Sequence, residues 1–312
     1  MTSSALDEAK PASKPRPRSL WRHPTIADRA PAITVVAALI FVWYVAAVLM
    51  NIGLVRDAFE REDTAYGVSD LLKGSLNAER PLVAAPHQVL GQFIDSVFNY
   101  PPDSPRSLVY HGYVTLSAAL LGFALGGAFG TILAVLIVHV RTLEKSLLPW
   151  IICSQMVPIL AVAPIVIVVL GAIGLRGLLP KSIISAYLCF FPVAIGMVKG
   201  LNSPDPIQPD LMRTWSATPS QVFWKLRCPC SVPFLFASIK VAITISIVGA
   251  IVGELPTGAQ AGLGARLLSG TYYGQTLQIW AALFMAALQA ATLVSIAGVI
   301  ERWTLRRMGW RP

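Results

Sequence analysis

Three side chains in apolar stretches of this sequence could take part in chemistry: Glu254, Gln155 and Tyr187. Glu254 is a lone carboxylate within an apolar run. Because an acid in hydrocarbon costs several kcal/mol, such a group usually faces a cavity or a partner, where it could gate a pathway. It lies near the end of its run, so contact with water is the alternative interpretation. Gln155 could line a pathway or form a structural hydrogen bond, and Tyr187 could contact a flat ligand or be buried in a core.

Patterns typical of enzymes and metal sites are missing from the sequence. There is no Gly-x-x-x-x-Gly-Lys-Ser/Thr phosphate loop, and no apolar run holds a paired acid and base. Cys228-Pro-Cys230 lacks the two-residue spacer of common zinc knuckles and has no histidine nearby. We therefore expect no catalytic residues, no metal and no cofactor. The histidines are scattered along the chain: His23, His87, His111 and His139.

The composition indicates an integral membrane protein. The 312 residues are 55% hydrophobic and 13% charged, and the mean hydropathy is +0.63. A soluble domain averages about 25% charged residues. The net charge of +9 could suggest nucleic acid. However, the basic residues lie beside apolar runs, as expected for the inner side of a membrane protein.

Six apolar runs predict an all-α membrane protein with six transmembrane helices. The prolines at 158 and 164 predict a bend in the third run. The runs are 32–50, 113–138, 147–170, 182–198, 234–255 and 277–300.

Small residues recur every four positions in the second run, which predicts that another helix approaches it closely. They are Ala118, Gly122, Gly126, Gly130 and Ala134.

The order of polar and apolar segments predicts the domain organisation. Residues 1–30 are rich in proline, serine and basic residues and are expected to form a disordered cytoplasmic tail. Residues 31–308 form the transmembrane domain, and 309–312 the cytoplasmic C-terminal end. Of the 25 Lys and Arg residues, 16 fall in segments that this arrangement places inside and 8 in segments outside, so both termini are expected in the cytoplasm.

The acidic segment 51–110 is expected outside the membrane. After Pro86 it carries a helical apolar stripe, which predicts a helix lying on the outer membrane surface or packed on its own loop. The stripe consists of Val89, Leu90, Phe93, Ile94, Val97 and Phe98.

A polar loop at 199–233 separates two apolar runs. It is expected to contain two short helices broken near Ser216–Pro219, with Pro219 in the first turn of the second. Val222, Phe223 and Leu226 share one face, which could offer an apolar ridge to a soluble partner. Pro229 and Pro233 are expected to stop the second helix before the next span.

This loop resembles the coupling loop of binding-protein-dependent ABC importer permeases. That motif runs Glu-Ala-Ala, three residues, Gly, nine residues, Ile, any residue, Leu-Pro. Here Asp210 takes the acid position, Ser216 the Gly position, and Leu226 to Pro229 the end, without a gap. The resemblance implies that the loop contacts an ATPase through Asp210, Arg213, Trp215, Ser216, Ala217, Phe223, Leu226 and Pro229.

The likeness is closest to the nitrate/sulfonate/taurine-type branch, which includes pyrimidine permeases. It is carried by Val-Gly-Ala-Ile-Val-Gly-Glu254-Leu-Pro followed by Gly-Leu-Gly at 262–264. The resemblance implies a type I importer fold, a bacterial inner-membrane location, a homodimer, ATPase subunits and an extracytoplasmic binding protein. A solute would pass inward by alternating access, with Gln155, Tyr187 and Glu254 on its pathway. A pyrimidine-like heterocycle would suit Tyr187 and the Phe190–Phe191 pair, whereas a sulfonate- or nitrate-type anion would require a buried base such as Lys240.

Two other interpretations stay open at this point. A six-span membrane scaffold or membrane-embedded enzyme would work without ABC partners, although an enzyme should cluster His, Asp or Ser near one membrane face. A proton-coupled transporter should carry several intramembrane acids.

Overall fold

Long apolar runs have to satisfy their own backbone hydrogen bonds in a membrane, and in this chain they do so as helices. The computed structural model describes residues 26–256 and 260–309, and the regular elements in these ranges are all helical. They are α1 (Ile26–Arg61), α2 (Val68–Leu76), α3 (Pro86–Phe98), α4 (Leu108–His139), α5 (Arg141–Ser154), α6 (Ile159–Ala172), α7 (Leu178–Leu201), α8 (Ile207–Thr214), α9 (Pro219–Val222), a π-helical turn (Phe223–Arg227), α10 (Cys228–Glu254), α11 (Leu263–Tyr272) and α12 (Thr276–Arg307).

Both predicted tails lie mostly outside the described residues. Of the predicted disordered tail 1–30, residues 1–25 lie outside, and α1 already begins at Ile26, earlier than predicted. Of the C-terminal end, residues 310–312 lie outside.

In the described ranges, five helices are long and apolar enough to cross a membrane, and a bent pair would make a sixth crossing. The five are Pro31–Arg61, Leu108–His139, Leu178–Leu201, Pro219–Glu254 and Thr276–Arg307. The fold class is therefore the all-α membrane architecture that the sequence predicted.

The third predicted run is broken rather than gently bent. It forms α5 and α6, whose axes differ by 97° across the break between Ser154 and Ile159. Each has 14 residues, or about 21 Å, and is shorter than a hydrocarbon core of about 30 Å. Pro158 makes the break because it is extended, with φ −62° and ψ 113°, and lacks an N–H for a continuing helix.

The centre of the fold is α7, which lies between α4 and α10. The predicted small-residue stripe of α4 is buried and contacts the backbone of α7 directly. A Cβ at Gly122, Gly126 or Gly130 would lie 2.7, 2.5 or 2.5 Å from a carbonyl oxygen of α7. These oxygens recur every four residues, at Ser182, Ala186 and Phe190. The predicted close helix contact is therefore confirmed.

Glycines also bring α10 close to α7. A Cβ at Gly249 would lie 2.7 Å from the Cα of Ser185, and one at Gly253 would lie 3.0 Å from the Cα of Lys181. These two contacts hold the C-terminal part of α10 against the N-terminal part of α7.

The segment between α1 and α4 is tied to the bundle through α1. Asn51 is fully buried; its Nδ2 donates to the carbonyls of Ser75 and Val83, and its Oδ1 accepts from the N–H of Leu82 at 2.9 Å. Trp43 of α1 contacts Trp280 of α12 with ring centroids 4.9 Å apart and ring planes tilted by 34°.

The predicted helix after Pro86 is α3. Phe93 and Val97 are packed against the helical core, whereas Leu90, Ile94 and Phe98 are exposed. The helix therefore lies on the bundle along one side of its apolar stripe.

Candidate functional sites at the two ends of the bundle

The break in the polar loop is a helix C-cap built on Ser216. Ser216 has φ +56°, in the left-handed region that favours glycine. Its N–H donates to the carbonyl of Arg213 at 2.9 Å, and the N–H of Ala217 donates to the carbonyl of Met212 at 3.0 Å. These two bonds form a Schellman motif that ends α8. The position that matched glycine in the sequence motif is thus the position where the backbone favours glycine.

The second short helix begins where the sequence predicted. Thr218 Oγ1 accepts from the N–H of Gln221 at 3.3 Å, and Gln221 Oε1 accepts from the N–H of Thr218 at 2.9 Å. This is a capping box with Pro219 at the first helical position.

Pro229 and Pro233 do not stop this helix, so that prediction was wrong. The chain runs as one continuous helical segment from Pro219 to Glu254. Pro233 lies inside α10, which continues through it. At Pro229 the π-helical turn at Phe223–Arg227 accounts for the continuity, because the N–H of Cys228 bonds to the carbonyl of Phe223, five residues back. This wider turn shifts the bonding pattern just before Pro229, which has no N–H to give.

The predicted apolar ridge faces the protein rather than solvent. Val222, Phe223 and Leu226 are half-buried, and the Phe223 ring contacts His139 of α4 edge-on with centroids 4.9 Å apart. Trp215 and Trp224 are 78% and 65% exposed.

The remaining loop residues lie around the turn. Asp210 and Arg213 form an exposed ion pair at 3.0 Å; such pairs contribute little to stability. Because Phe223 holds the loop against α4, the large apolar side chains available to a partner are the two tryptophans together with Ile207 and Leu211, which are also exposed. Trp224 was not selected from the sequence.

At the opposite end of α10, Glu254 is fully buried, which excludes the interpretation as a solvated helix end. Both carboxylate oxygens lie 3.0 Å from Thr115 Oγ1 of α4. The N–H of Gly264 donates to Oε2 at 2.8 Å, and Lys181 Nζ of α7 lies 3.5 Å from Oε1. The carboxylate therefore joins α4, α7, α10 and α11.

A second layer of contacts holds the chain that leads into α11. Lys181 Nζ also donates to the carbonyl of Ala261 at 3.0 Å, and the N–H of Leu263 donates to Thr115 Oγ1 at 2.8 Å. His111 Nδ1 accepts from the N–H of Gly262 at 3.0 Å, and Nε2 lies 2.8 Å from the carbonyl of Pro105. These contacts fit a neutral ring with its proton on Nε2. We call Glu254, Thr115, Lys181, His111 and residues 261–264 the carboxylate clamp.

The two glycines of the clamp leave room for the carboxylate. Gly262 has φ +126°, and a Cβ there would lie 2.2 Å from the Glu254 carboxyl carbon. A Cβ on Gly264 would lie 2.5 Å from the carbonyl oxygen of Ile251. Both glycines of the Gly-Leu-Gly sequence are therefore required, because the neighbouring atoms leave no room for a side chain at either position.

A cavity of about 920 Å³ adjoins the clamp. It is bounded by the start of α4, the end of α6 and the α6–α7 connection. Its lining includes Tyr110, Ser117, Ile167, Arg176, Lys181 and Gly253.

The other two predicted pathway residues lie away from the clamp. Gln155 caps α5 at the break, with its Nε2 3.4 Å from Ser154 Oγ. The Tyr187 hydroxyl donates to the carbonyl of Ser154. The structure brings Gln155 and Tyr187 together, whereas Lys181 of the clamp precedes Tyr187 by six residues on α7, a rise of about 9 Å.

The side chains considered for solute contact have partners within the chain. Phe190 is 8% exposed and belongs to a buried cluster. Lys240 forms an ion pair with Glu301 of α12. Glu301 lies one residue beyond the predicted end of the last run, and α12 continues to Arg307, so Glu254 is not the only acid in a membrane helix.

Comparison with known proteins agrees with the loop geometry. Residues 126–310 match the family described as "Binding-protein-dependent transport system inner membrane component". The chain belongs to the ABC importer permeases. Its location is therefore the inner membrane, which it crosses several times.

Several related permeases are similar over most of this one. A riboflavin transport system permease protein, RibX, of Chloroflexus aurantiacus is 32% identical over 72% of this chain and 80% of its own. A probable ABC transporter permease protein of Haemophilus influenzae is 29% identical over 71% and 89%. A formylaminopyrimidine transport permease protein, ThiX, of Halalkalibacterium halodurans is 31% identical over 52% and 63%.

The carboxylate clamp of this permease contains three residues that were not selected from the sequence. Lys181 was counted only as an outer charge, and His111 only as a scattered histidine. Thr115 was not singled out at all. The available signal was the small-residue stripe, because His111 and Thr115 lie on its continuation toward the start of α4.

Proposed function

We propose that this permease passes a small polar solute inward by alternating access, driven by ATPase subunits that dock on the loop at 199–233. Members of the family are transport subunits, and ATP hydrolysis is assigned to the separate partner. Two copies of the permease and an extracytoplasmic binding protein complete the proposed assembly.

The observation that carries the proposal is the continuous helical segment from Pro219 to Glu254. At 36 residues it extends about 54 Å. One end carries the loop turn and the exposed Trp224, and the other carries the carboxylate of the clamp. Movement of the loop would therefore be transmitted along one helix to Glu254, without a flexible joint between them.

The clamp is suited to act as a gate because it closes the chain around α11 onto three other helices. Shifting the end of α10 would displace the Glu254 carboxylate from Thr115, Lys181 and Gly264 together. The cavity beside Lys181 would then change shape. In this proposal Glu254 gates the pathway without binding the solute.

For the solute we favour a pyrimidine-like heterocycle over a sulfonate- or nitrate-type anion. Two relatives are named for riboflavin and formylaminopyrimidine transport. Lys240, the base first considered for an anion, is already paired with Glu301. Arg176 in the larger cavity is the feature that would favour an anion.

The test is reconstitution of the permease with its ATPase and binding protein in liposomes. Uptake of riboflavin, a formylaminopyrimidine and an alkanesulfonate would be measured with and without ATP. Trp215→Ala should weaken ATPase docking, because an aromatic anchor commonly contributes about 2 kcal/mol or more. Trp150→Ala, at an exposed tryptophan outside the loop, is the control. A permease that binds no ATPase would contradict the proposal and favour a membrane scaffold or enzyme.

The proposed orientation places both termini and the loop in the cytoplasm. It can be tested with a cysteine at Trp215, which is 78% exposed, in a variant without the four native cysteines. An impermeant thiol reagent should not reach this position in intact cells. Tyr272→Cys, at the other end of the bundle, should react; labelling of position 215 from outside would reverse the orientation.

A further inference from the structure

The end of the bundle opposite the loop carries a polar cavity separate from the carboxylate clamp. It has a volume of about 450 Å³ and lies between α3, α11 and the start of α12. Its lining is rich in hydrogen-bonding side chains, including Gln92, Ser96, Tyr100, Arg106, Arg266 and Gln278.

Arg266 is held in a fixed orientation at this cavity. Its Nη1 donates to Gln278 Oε1 at 3.1 Å, and its Nη2 donates to the backbone carbonyl of Arg106 at 2.6 Å. The side chain is half-buried. Burial lowers the pKa of the Arg266 guanidinium, but an arginine stays charged near neutral pH. The remaining N–H donors therefore belong to a preorganised cation.

The positive charge at this cavity is not balanced within the chain as described. In residues 26–256 and 260–309, neither Arg266 nor Arg106 lies within 4.0 Å of a carboxylate. Arg106 is exposed, and its guanidinium makes no hydrogen bond to those residues. A partly buried cation without a counter-charge carries a desolvation cost that an incoming carboxylate would offset.

Tyrosine rings line the cavity and continue beyond it. Tyr100 and Tyr273 are lining residues; Tyr273 is 73% exposed, and its chain neighbour Tyr272 at the end of α11 is 78% exposed. Tyrosine and arginine are enriched at the centres of protein–protein interfaces. A small free anion would require the arginines but not these rings, so the combination favours a protein partner.

We propose that this cavity receives an acidic side chain of the solute-binding protein when that protein docks on the permease. The inference rests on the proposed function, since it requires an importer whose binding protein docks at the end opposite the ATPases. Arg266 supplies the oriented charge, Arg106 supplies a second charge, and the tyrosines supply the surrounding contact area.

The test uses the permease–ATPase complex in nanodiscs and the purified solute-binding protein of the same transport system. Arg266→Gln should raise the dissociation constant of the binding protein at least tenfold and reduce its dependence on salt. Arg106→Gln should raise it by a smaller factor, and it removes a charge without removing a hydrogen bond within the described chain. Arg176→Gln, in the other cavity, is the matched control and should leave docking unchanged.

Charge reversal identifies the acid. Arg266→Glu should abolish docking, and one Asp→Lys or Glu→Lys change on the binding protein should restore it. Unchanged docking for both Arg266→Gln and Arg106→Gln would overturn the inference. Loss of a bound anionic lipid in native mass spectrometry, with docking unaffected, would assign the cavity to a headgroup instead. Failure of the wild-type complex to bind the protein at all would count against the proposed function.

Discussion

The closest approach in the carboxylate clamp makes Gly262→Ala a sensitive test of its geometry. The added Cβ would lie 2.2 Å from the Glu254 carboxyl carbon. Because ordinary carbon contacts begin near 3.4 Å, one of the two groups must move by about 1.2 Å. The carboxylate would then lose its bond to the Gly264 N–H, and the backbone would hold alanine at φ +126°.

The expected cost follows from these two effects. A hydrogen bond to a charged group is worth about 1.5–3 kcal/mol. A non-glycine residue in a sparsely populated backbone region costs of order 1–3 kcal/mol. We therefore expect Gly262→Ala to destabilise the clamp by about 3 kcal/mol or more, with loss of coupled transport and faster hydrogen exchange at the start of α11.

Gly274→Ala separates backbone strain from the steric clash. Gly274 also has a positive φ, +65°, but an added Cβ there would meet nothing within 4 Å. Both variants would be compared by thermal unfolding in the same detergent and by uptake in liposomes. If Gly262→Ala unfolds and transports like Gly274→Ala, the close contact with Glu254 contributes no free energy and its predicted role is refuted.

Three further predictions concern the carboxylate itself, the loop and the helix core. Glu254→Gln should reduce uptake at near-normal protein levels, because it leaves Lys181 without its counter-charge; unchanged uptake would remove Glu254 from the gate. Ser216→Gly should be tolerated or slightly stabilising at φ +56°. Ser216→Trp should uncouple ATP hydrolysis from uptake without unfolding the membrane domain, and wild-type uptake in this variant would exclude the loop as the coupling element. Gly126→Ala should cost about 1–3 kcal/mol on thermal unfolding, because its Cβ would lie 2.5 Å from a carbonyl oxygen, whereas Gly127→Ala meets nothing within 4 Å and should be neutral.

Local patterns predicted the fold well where a single helix decides the outcome. The α3 stripe, the capping position of Pro219 and the break at Ser216 all depend on residues within one or two turns. Pro229 misled the prediction because it lies in the first turn of α10, where its missing N–H costs little, and Pro233 because a membrane helix can continue through an interior proline. The π-helical turn from Phe223 changes the bonding just before Pro229, and Phe223 contacts His139 of α4, a residue far from the loop in sequence.

The carboxylate clamp could not be predicted in the same way, because it joins residues far apart in sequence. Thr115 and Glu254 are separated by 139 positions, and Lys181 and Glu254 by 73. Even so, the sequence indicates which face of α4 packs against the neighbouring helices. The buried face of α4 that carries Gly122 and Ala118 continues back through Thr115 and His111 at helical spacing. A polar residue that prolongs a small-residue stripe is held close to the neighbouring helices by the same contacts. Thr115 therefore needs a buried polar partner, and Glu254 supplies it from α10, which packs against both α4 and α7.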